Sequence, residues 1–109
     1  MRRILLPIAV GLAVAAPLQA ATSYHGYITQ TGTLGDGTVF VEFAAAVGPT
    51  GCNHPQVRLA ATNPAARQAF AVALAAYLSN SPVQIQTDGC LGAYPTMTTT
   101  GSWLYPKPL

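Results

Sequence analysis

The stretch 63–79 restricts the possible folds of this chain most, because it is predicted to be the only helix of the mature protein. Asn63 can cap a helix, and Pro64 suits the first helical position, where a missing N–H costs nothing. Alanine, the best helix former, dominates the residues that follow. Pro82 disfavours helical structure in the residue before it, so we expect the helix to end near Ser79.

The large apolar side chains of this stretch recur with helical spacing and predict one buried stripe. The stripe consists of Phe70, Leu74, Tyr77 and Leu78. The opposite face carries small or weakly polar residues, among them Gln68, Val72 and Ala75. A helix that is apolar or small all round is typically buried on both sides, so we expect a neighbouring subunit on this second face. A tolerated alanine-rich surface is the alternative.

The N-terminus has the three parts of a secretory signal peptide. Two arginines supply a positive start, residues 4–17 form an apolar segment too short to span a bilayer, and the small residue Ala20 precedes the expected cut. We therefore expect residues 1–20 to be removed and residues 21–109 to form one small domain. The protein is predicted to be secreted or periplasmic, without membrane insertion, because no later stretch is long enough to span a membrane.

The charge of the mature chain excludes one large class of partners. Removing the signal peptide leaves three basic and three acidic residues and a formal net charge of zero. The charged residues are Arg58, Arg67, Lys107, Asp36, Glu42 and Asp88. Proteins that bind nucleic acids need a basic surface to displace counterions from phosphates. We therefore expect no nucleic-acid partner.

Cys52 and Cys90 are the two cysteines of the chain. In an exported protein a disulfide bond is the usual state of such a pair. The bond would close a long loop, and the chain-entropy argument puts its stabilisation at roughly 3–4 kcal/mol. Two free thiols are the alternative.

Alternating and β-branched segments predict five strands around the helix. The predicted strands are 24–31, 38–43, 57–60, 82–87 and 95–105, the last of which is a strand or a strand pair. The resulting order, β-β-β-α-β-β, matches the five-stranded Greek-key barrel called the OB-fold, whose exposed faces bind oligonucleotides or oligosaccharides. Without a basic surface, the oligosaccharide alternative is favoured. A helix packed on an open antiparallel sheet would have the same order of elements.

The acidic residues and histidines do not form a recognisable catalytic set. Asp36 and Asp88 each precede a glycine in a predicted turn, and Glu42 lies in a strand, so no carboxylate pair for glycoside hydrolysis is indicated. A Gly-x-Ser-x-Gly nucleophile motif is also absent from the sequence. Cys52 and His54 could contribute metal ligands, but a disulfide explains the cysteines more simply. We expect no enzyme activity and no cofactor.

Aromatic residues cluster towards the two ends of the mature chain, whose strands lie close together in an OB-fold. They are Tyr24, Tyr27, Tyr94, Trp103 and Tyr105. Aromatic rings surrounded by Thr, Gln and Asn suit a sugar, which has apolar faces and many hydroxyl groups. Filling the small core is the alternative, and we favour it for Tyr27 and Trp103.

Two short stretches, residues 26–30 and 70–87, resemble a known family. The sequence Gly-Tyr-Ile-Thr-Gln at 26–30 is similar to that family's first strand, and 70–87 is similar to its central helix followed by a Pro-Val-x-Ile strand. The family comprises the pentameric B subunits of bacterial AB toxins, in particular the subtilase-cytotoxin B-subunit-like group. The resemblance implies an OB-fold, a ring of five subunits with the helices lining its pore, and a glycan ligand that is often sialylated.

The resemblance also implies positions for the site. The family contacts its ligand through a Ser just before the first-strand Gly and a Tyr that ends the Pro-Val-x-Ile strand. His25 and Thr87 occupy these positions here. We expect ligand contacts at His25, Thr87 and Asp88, and further contacts at Thr29 and Trp103.

The predicted function is therefore that of a secreted glycan-binding module without catalysis. It is predicted to form a homo-oligomer, a pentamer by resemblance, in which Gln68, Val72 and Ala75 lie near the axis. A secreted catalytic subunit is a further expected partner class. The alternative is a small periplasmic structural or inhibitor-like protein that binds another protein.

Overall fold

The computed structural model describes residues 22–98 and 101–109. In this part of the chain it contains eight strands and one helix. The strands are β1 (Thr22–Gly26), β2 (Ile28–Thr33), β3 (Val39–Val47), β4 (His54–Leu59), β5 (Val83–Thr87), β6 (Cys90–Leu91), β7 (Tyr94–Pro95) and β8 (Trp103–Pro106), and the helix α1 (Ala66–Leu78) lies between β4 and β5. The predicted signal peptide, residues 1–20, lies outside the described residues.

The strands form two three-stranded antiparallel sheets and one small hairpin. The first sheet has the order β1-β5-β8, the second has the order β2-β3-β4, and β6 pairs with β7. The predicted first strand is divided at Tyr27, so that β1 belongs to the first sheet and β2 to the second. The described part of the protein is thus mainly β with one helix. Among the described strands no ladder joins β4 to β8, and the predicted closed five-stranded barrel is not confirmed.

Two predicted strand boundaries are corrected by the structure. Strand β4 begins at His54 and includes Pro55, although the sequence around this proline predicts a loop. Proline is tolerated here because β4 lies at the edge of the second sheet, where a missing N–H need not cost a ladder bond. Strand β3 continues to Val47, although a loop is predicted from Ala44 onwards. The predicted strand or strand pair 95–105 contains the end of β7 and most of β8.

The core lies between the inward faces of the two sheets. Alternation over 39–43 of β3 and along β5 buries every second side chain, as predicted. These buried residues are Val39, Val41, Phe43, Val83 and Ile85. Tyr24 of β1 joins the core as well, since its ring meets the Phe43 ring edge-on at a centroid distance of 5.1 Å.

The helix packs against β2, β3 and β8 mainly through alanines, on a face beside the predicted stripe. Its buried residues are Ala66, Ala69, Ala73 and Ala76. Phe70 packs partly against the core, whereas Leu74, Tyr77 and Leu78 are 36%, 43% and 74% exposed. The prediction was wrong for these three because the alanines have helical spacing too. Small side chains on the inner face allow the helix backbone to approach the sheets closely.

The helix also begins later than predicted, at Ala66. Asn63 still accepts a hydrogen bond near the helix start, since the Ala65 N–H donates to Asn63 Oδ1 at 2.8 Å. This bond closes the turn that leads into the helix. Within residues 22–98 and 101–109, we find no helix whose length and apolar character would suffice to cross a membrane.

Candidate functional site

The outer face of the first sheet carries polar and aromatic side chains in register across its three strands. Residues at inward positions alternate with this outer set, which follows from the pleat of each strand. Gln84 pairs with His25 on one side and Tyr105 on the other. Gln86 pairs with Ser23 and Trp103 in the same way. We call this surface the aromatic–glutamine face: Ser23, His25, Gln84, Gln86, Trp103 and Tyr105.

Two aromatic rings form one side of this face. Trp103 and Tyr105 occupy consecutive outward positions of β8, with Leu104 between them packed towards the core. Their ring centroids are 5.2 Å apart and the ring planes are inclined by 41°. Trp103 is half-buried, and Tyr105 is exposed. The two rings therefore offer an accessible apolar surface beside the glutamine side chains.

His25 lies on the opposite side of the face and is fixed by the C-terminal segment. Its Nε2 atom lies 2.8 Å from the carbonyl oxygen of Lys107. A carbonyl only accepts hydrogen bonds, so Nε2 is the donor. In the neutral ring Nδ1 is then left as an acceptor. The Lys107 backbone N–H is itself held by the carbonyl oxygen of Pro82, which lies just before β5.

Several polar groups of the face have no protein partner within the described residues. The Gln84 amide and the Ser23 hydroxyl make no hydrogen bond there. Gln86 uses its Nε2 atom to donate to the Gly101 carbonyl oxygen at 2.5 Å, which leaves Oε1 available. The face thus combines amide donors, amide acceptors and a hydroxyl group with an aromatic surface.

The structure brings two of the predicted ligand contacts, His25 and Trp103, onto this face, but Thr87 points the other way. Thr87 is 0% exposed, and its hydroxyl shares a 3.0 Å hydrogen bond with the Thr22 hydroxyl. Strand alternation explains the correction: Gln86 faces outward, so the next residue faces the core. A ligand on the surface would not reach the Thr87 side chain.

Asp88 borders the aromatic–glutamine face, and Thr29 lies away from it. The Gly101 carbonyl oxygen accepts from Gln86 of the face, and a Cβ atom added at Gly101 would lie 2.9 Å from Asp88 Oδ2. Asp88 follows β5 and accepts hydrogen bonds from the Thr98 backbone N–H at 2.9 Å and from the Thr98 hydroxyl at 2.8 Å. It therefore holds Thr98 close to the end of β5. Thr29 lies in the second sheet, at an irregularity of β2, and its hydroxyl donates to the Glu42 carbonyl oxygen at 3.2 Å.

The helix face predicted for the oligomer contact borders the same region. Gln68 and Ala75 are exposed, and Val72 is half-buried. Gln68 and Val72 line a groove of about 250 Å³ between α1 and β8, together with Trp103 and Leu104. The predicted oligomer surface and the aromatic–glutamine face are therefore adjacent.

A second polar group, which the sequence analysis did not identify, covers the outer face of the second sheet. Gln56 Nε2 donates to Glu42 Oε1 at 2.9 Å, and Arg58 Nε donates to Gln56 Oε1 at 2.6 Å. The Arg58 guanidinium carbon lies over the Tyr94 ring, 3.7 Å from its centroid. The His54 ring packs against the same tyrosine, with 4.5 Å between the two ring centroids. We call these residues the arginine–tyrosine cluster: Glu42, His54, Gln56, Arg58 and Tyr94. Strand alternation of His54, Gln56 and Arg58 was the available sequence signal.

The hairpin that supplies Tyr94 is held against the second sheet by a covalent bond. Cys52 and Cys90, 38 positions apart, form a disulfide with a Cα–Cα distance of 5.8 Å, which confirms the predicted pairing. Pro95 of the hairpin also packs closely on Gly48, where an added Cβ atom would clash with the proline ring. The arginine–tyrosine cluster is therefore built on a fixed hairpin.

Comparisons with family models, with curated proteins and with solved structures find no match for this chain. Among residues 22–98 and 101–109, no group of three or more His, Cys, Asp and Glu residues is placed to hold a metal ion.

Proposed function

We propose that the protein is an exported module without catalysis of its own that binds a glycan on the aromatic–glutamine face. The observation that supports this is the register of β1, β5 and β8, which sets two glutamines between His25 and Ser23 on one side and two aromatic rings on the other. A sugar ring has apolar faces that pack on aromatic rings, and hydroxyl groups that bond to amides. The aromatic–glutamine face has no charged side chain, so it suits a neutral sugar.

An OB-fold relationship is part of the proposal. If β1 and β2 are counted as one bent strand, the neighbouring strands follow the order β4-β3-β2/β1-β5-β8. This is the order of an opened five-stranded Greek-key barrel, with the helix between its third and fourth strands. The order supports the proposed kinship with toxin B subunits, together with the two sequence stretches at 26–30 and 70–87.

Export is proposed from the N-terminal segment and from the disulfide. Residues 1–20 have the composition of a signal peptide, cleaved near Ala20. The Cys52–Cys90 bond suits an oxidising compartment such as the periplasm or the extracellular space.

Assembly into a homo-oligomer, with a pentameric ring as the proposed form, rests on the outer surface of the helix. Leu74, Tyr77 and Leu78 are exposed, although large apolar side chains are usually covered. The neighbouring positions Gln68, Val72 and Ala75 extend this weakly polar surface. A closed ring of identical subunits would bury it. A secreted catalytic subunit is the partner class that such a ring would carry.

A glycan array probed with the mature protein tests the binding proposal, and His25→Ala tests the face. Loss of one hydrogen bond to a sugar hydroxyl predicts a decrease of roughly 1–2 kcal/mol in binding free energy. The matched control is His54→Ala, which removes the other histidine from the second sheet and should leave glycan affinity unchanged. Unchanged affinity in His25→Ala would remove His25 from the site, and an array without any bound glycan would contradict the proposal.

Sedimentation of the mature protein tests the assembly. Val72→Glu would bring like charges together near the ring axis and should dissociate the oligomer into monomers. Ala45→Glu places the same charge at an exposed position of β3 and should leave the assembly intact. A wild-type protein that sediments as a single monomeric species at high concentration would contradict the proposed ring.

Binding to another protein is the second candidate function, and the exposed leucines and tyrosine at the end of the helix favour it. A small structural or inhibitor-like protein could use this surface directly. An empty glycan array combined with a monomeric chain would support this candidate over the first.

A further inference from the structure

Arg58 is held in one orientation before any ligand arrives. Its guanidinium carbon lies over the Tyr94 ring, and its Nε atom donates to Gln56. Gln56 is oriented in turn, because its Nε2 end faces the Glu42 carboxylate and its Oε1 end faces the guanidinium. A flexible arginine loses rotamer entropy when it binds a ligand. Arg58 is already ordered by Tyr94 and Gln56, so it loses less rotamer entropy on binding.

The terminal nitrogens of Arg58 are nevertheless unused. A guanidinium has five N–H donors, and the Nε–H is the one engaged here. Within the described residues, no acceptor bonds to Nη1 or Nη2, and no carboxylate forms an ion pair with Arg58. The Glu42 carboxylate reaches Arg58 through the Gln56 amide. The paired Nη groups are thus free to donate two parallel hydrogen bonds.

Arg58 lines an open cleft of about 430 Å³. One wall is the turn between β2 and β3, with Leu34 and Asp36, and the other is the β6–β7 hairpin, with Leu91 and Tyr94. The disulfide at Cys90 anchors this second wall. The cleft therefore combines a fixed cation with apolar side chains and the carboxylate of Asp36.

We infer that this cleft is a second ligand site, in which the Nη groups of Arg58 bind the carboxylate of a small monoanionic molecule. The fork of two N–H groups matches the two oxygens of a carboxylate. Leu34 and Leu91 would contact the apolar part of the ligand, and Asp36 could accept a hydrogen bond from an N–H or O–H group on it. A doubly charged phosphate is disfavoured relative to a monoanion, because the Asp36 carboxylate lines the same cleft and repels the second charge.

Nuclear magnetic resonance titration of the disulfide-bonded protein tests this site with N-acetyl-L-alanine as the probe. We expect saturable shifts of the Arg58 Nε–H signal and of the backbone amides in 91–94. The neutral N-acetyl-L-alanine amide should bind at least about tenfold more weakly, because it has no carboxylate to accept two charge-assisted hydrogen bonds from the guanidinium. Inorganic phosphate should also bind more weakly, because the Asp36 carboxylate repels its second charge.

Two arginine variants provide the matched comparison. Arg58→Gln should weaken N-acetyl-L-alanine binding at least about tenfold, whereas Arg67→Gln, on the exposed side of the helix, should leave it unchanged. If Arg58→Gln does not fold, Arg58→Lys keeps the charge without the planar fork and should still show weaker binding. Unchanged affinity in the folded Arg58 variant, or equal binding of the amide analogue, would overturn the inference. His25→Ala should leave this titration unchanged, which separates this site from the proposed glycan site.

Discussion

The outer faces of the two sheets obey the same alternation of strand residues but differ in how their polar groups are satisfied. The aromatic–glutamine face carries no charged side chain, and the Gln84 amide and the Ser23 hydroxyl have no partner in the described part of the chain. In the arginine–tyrosine cluster, Glu42, Gln56 and Arg58 bond to one another in series. The β6–β7 hairpin covers the second sheet, whereas within the described residues the first sheet has no such cover. The unpartnered polar atoms of the first sheet are therefore neutral amide and hydroxyl groups, whereas those of the second sheet belong to the Arg58 guanidinium.

Removing the disulfide should have the largest effect and should act on the second face. Cys52→Ala combined with Cys90→Ala releases the hairpin, and loss of the loop constraint predicts a decrease of roughly 3–4 kcal/mol in the free energy of unfolding. Denaturant unfolding measures this decrease. Reduction of the wild-type disulfide is the control and should destabilise the protein by a similar amount. Wild-type stability in the double variant would show that the hairpin is held by its noncovalent contacts alone.

Removing one aromatic ring from each face should have the next largest effect, and the effect on glycan affinity should differ between the two faces. If Trp103 packs on a sugar, Trp103→Ala should reduce the free energy of glycan binding by about 2 kcal/mol, as for other central aromatic contacts. Tyr94→Ala removes the ring beneath Arg58 and should leave glycan affinity unchanged while lowering stability. Calorimetric titration with a glycan identified on the array compares the two variants. Equal losses of affinity would remove the distinction between the faces.

The smallest effect concerns Asp36, at the edge of the second face. The Thr38 backbone N–H donates to Asp36 Oδ1 at 2.9 Å and lowers the pKa of this carboxyl, with further contributions from the Thr38 hydroxyl and Arg58. Because the folded-state pKa is lowered, the stabilisation is present above the unfolded pKa of about 3.9 and is lost as the pH falls through the lower folded value. Asp36→Asn should therefore be less stable than the wild type at neutral pH, with a difference that shrinks in acid. Unfolding measured from pH 7 to about pH 2 checks this sign, and a pH-independent difference would contradict it.

Local patterns predicted much of this fold. Alternation in 38–43 and 82–87 identified the buried residues of β3 and β5, because a pleated strand alternates its side chains whatever its partners are. The position of the helix between two groups of strands was also predicted, although its start was placed too early. The disulfide followed from the number of cysteines and the expected export.

Features that depend on long-range packing were not predictable in the same way. Both the alanines and the large apolar residues of the helix have a helical period, and their period does not say which set meets the sheets. The division of the first predicted strand at Tyr27 depends on which partner each half finds. Thr87 was assigned to the ligand through a family resemblance, although the alternation of its own strand places it inside. The partners of Arg58 come together through strand pairing and the hairpin, which the sequence alone does not specify.

The hydrogen bond between His25 and the Lys107 carbonyl oxygen has a practical consequence for protein engineering. It fastens the C-terminal segment beside β1, next to the surface proposed for glycan binding. A purification tag or fusion partner attached after Leu109 would begin close to that surface and could shield it in a binding assay. A tag placed in an exposed loop of the second sheet, such as the one around Thr50, would leave the first sheet accessible.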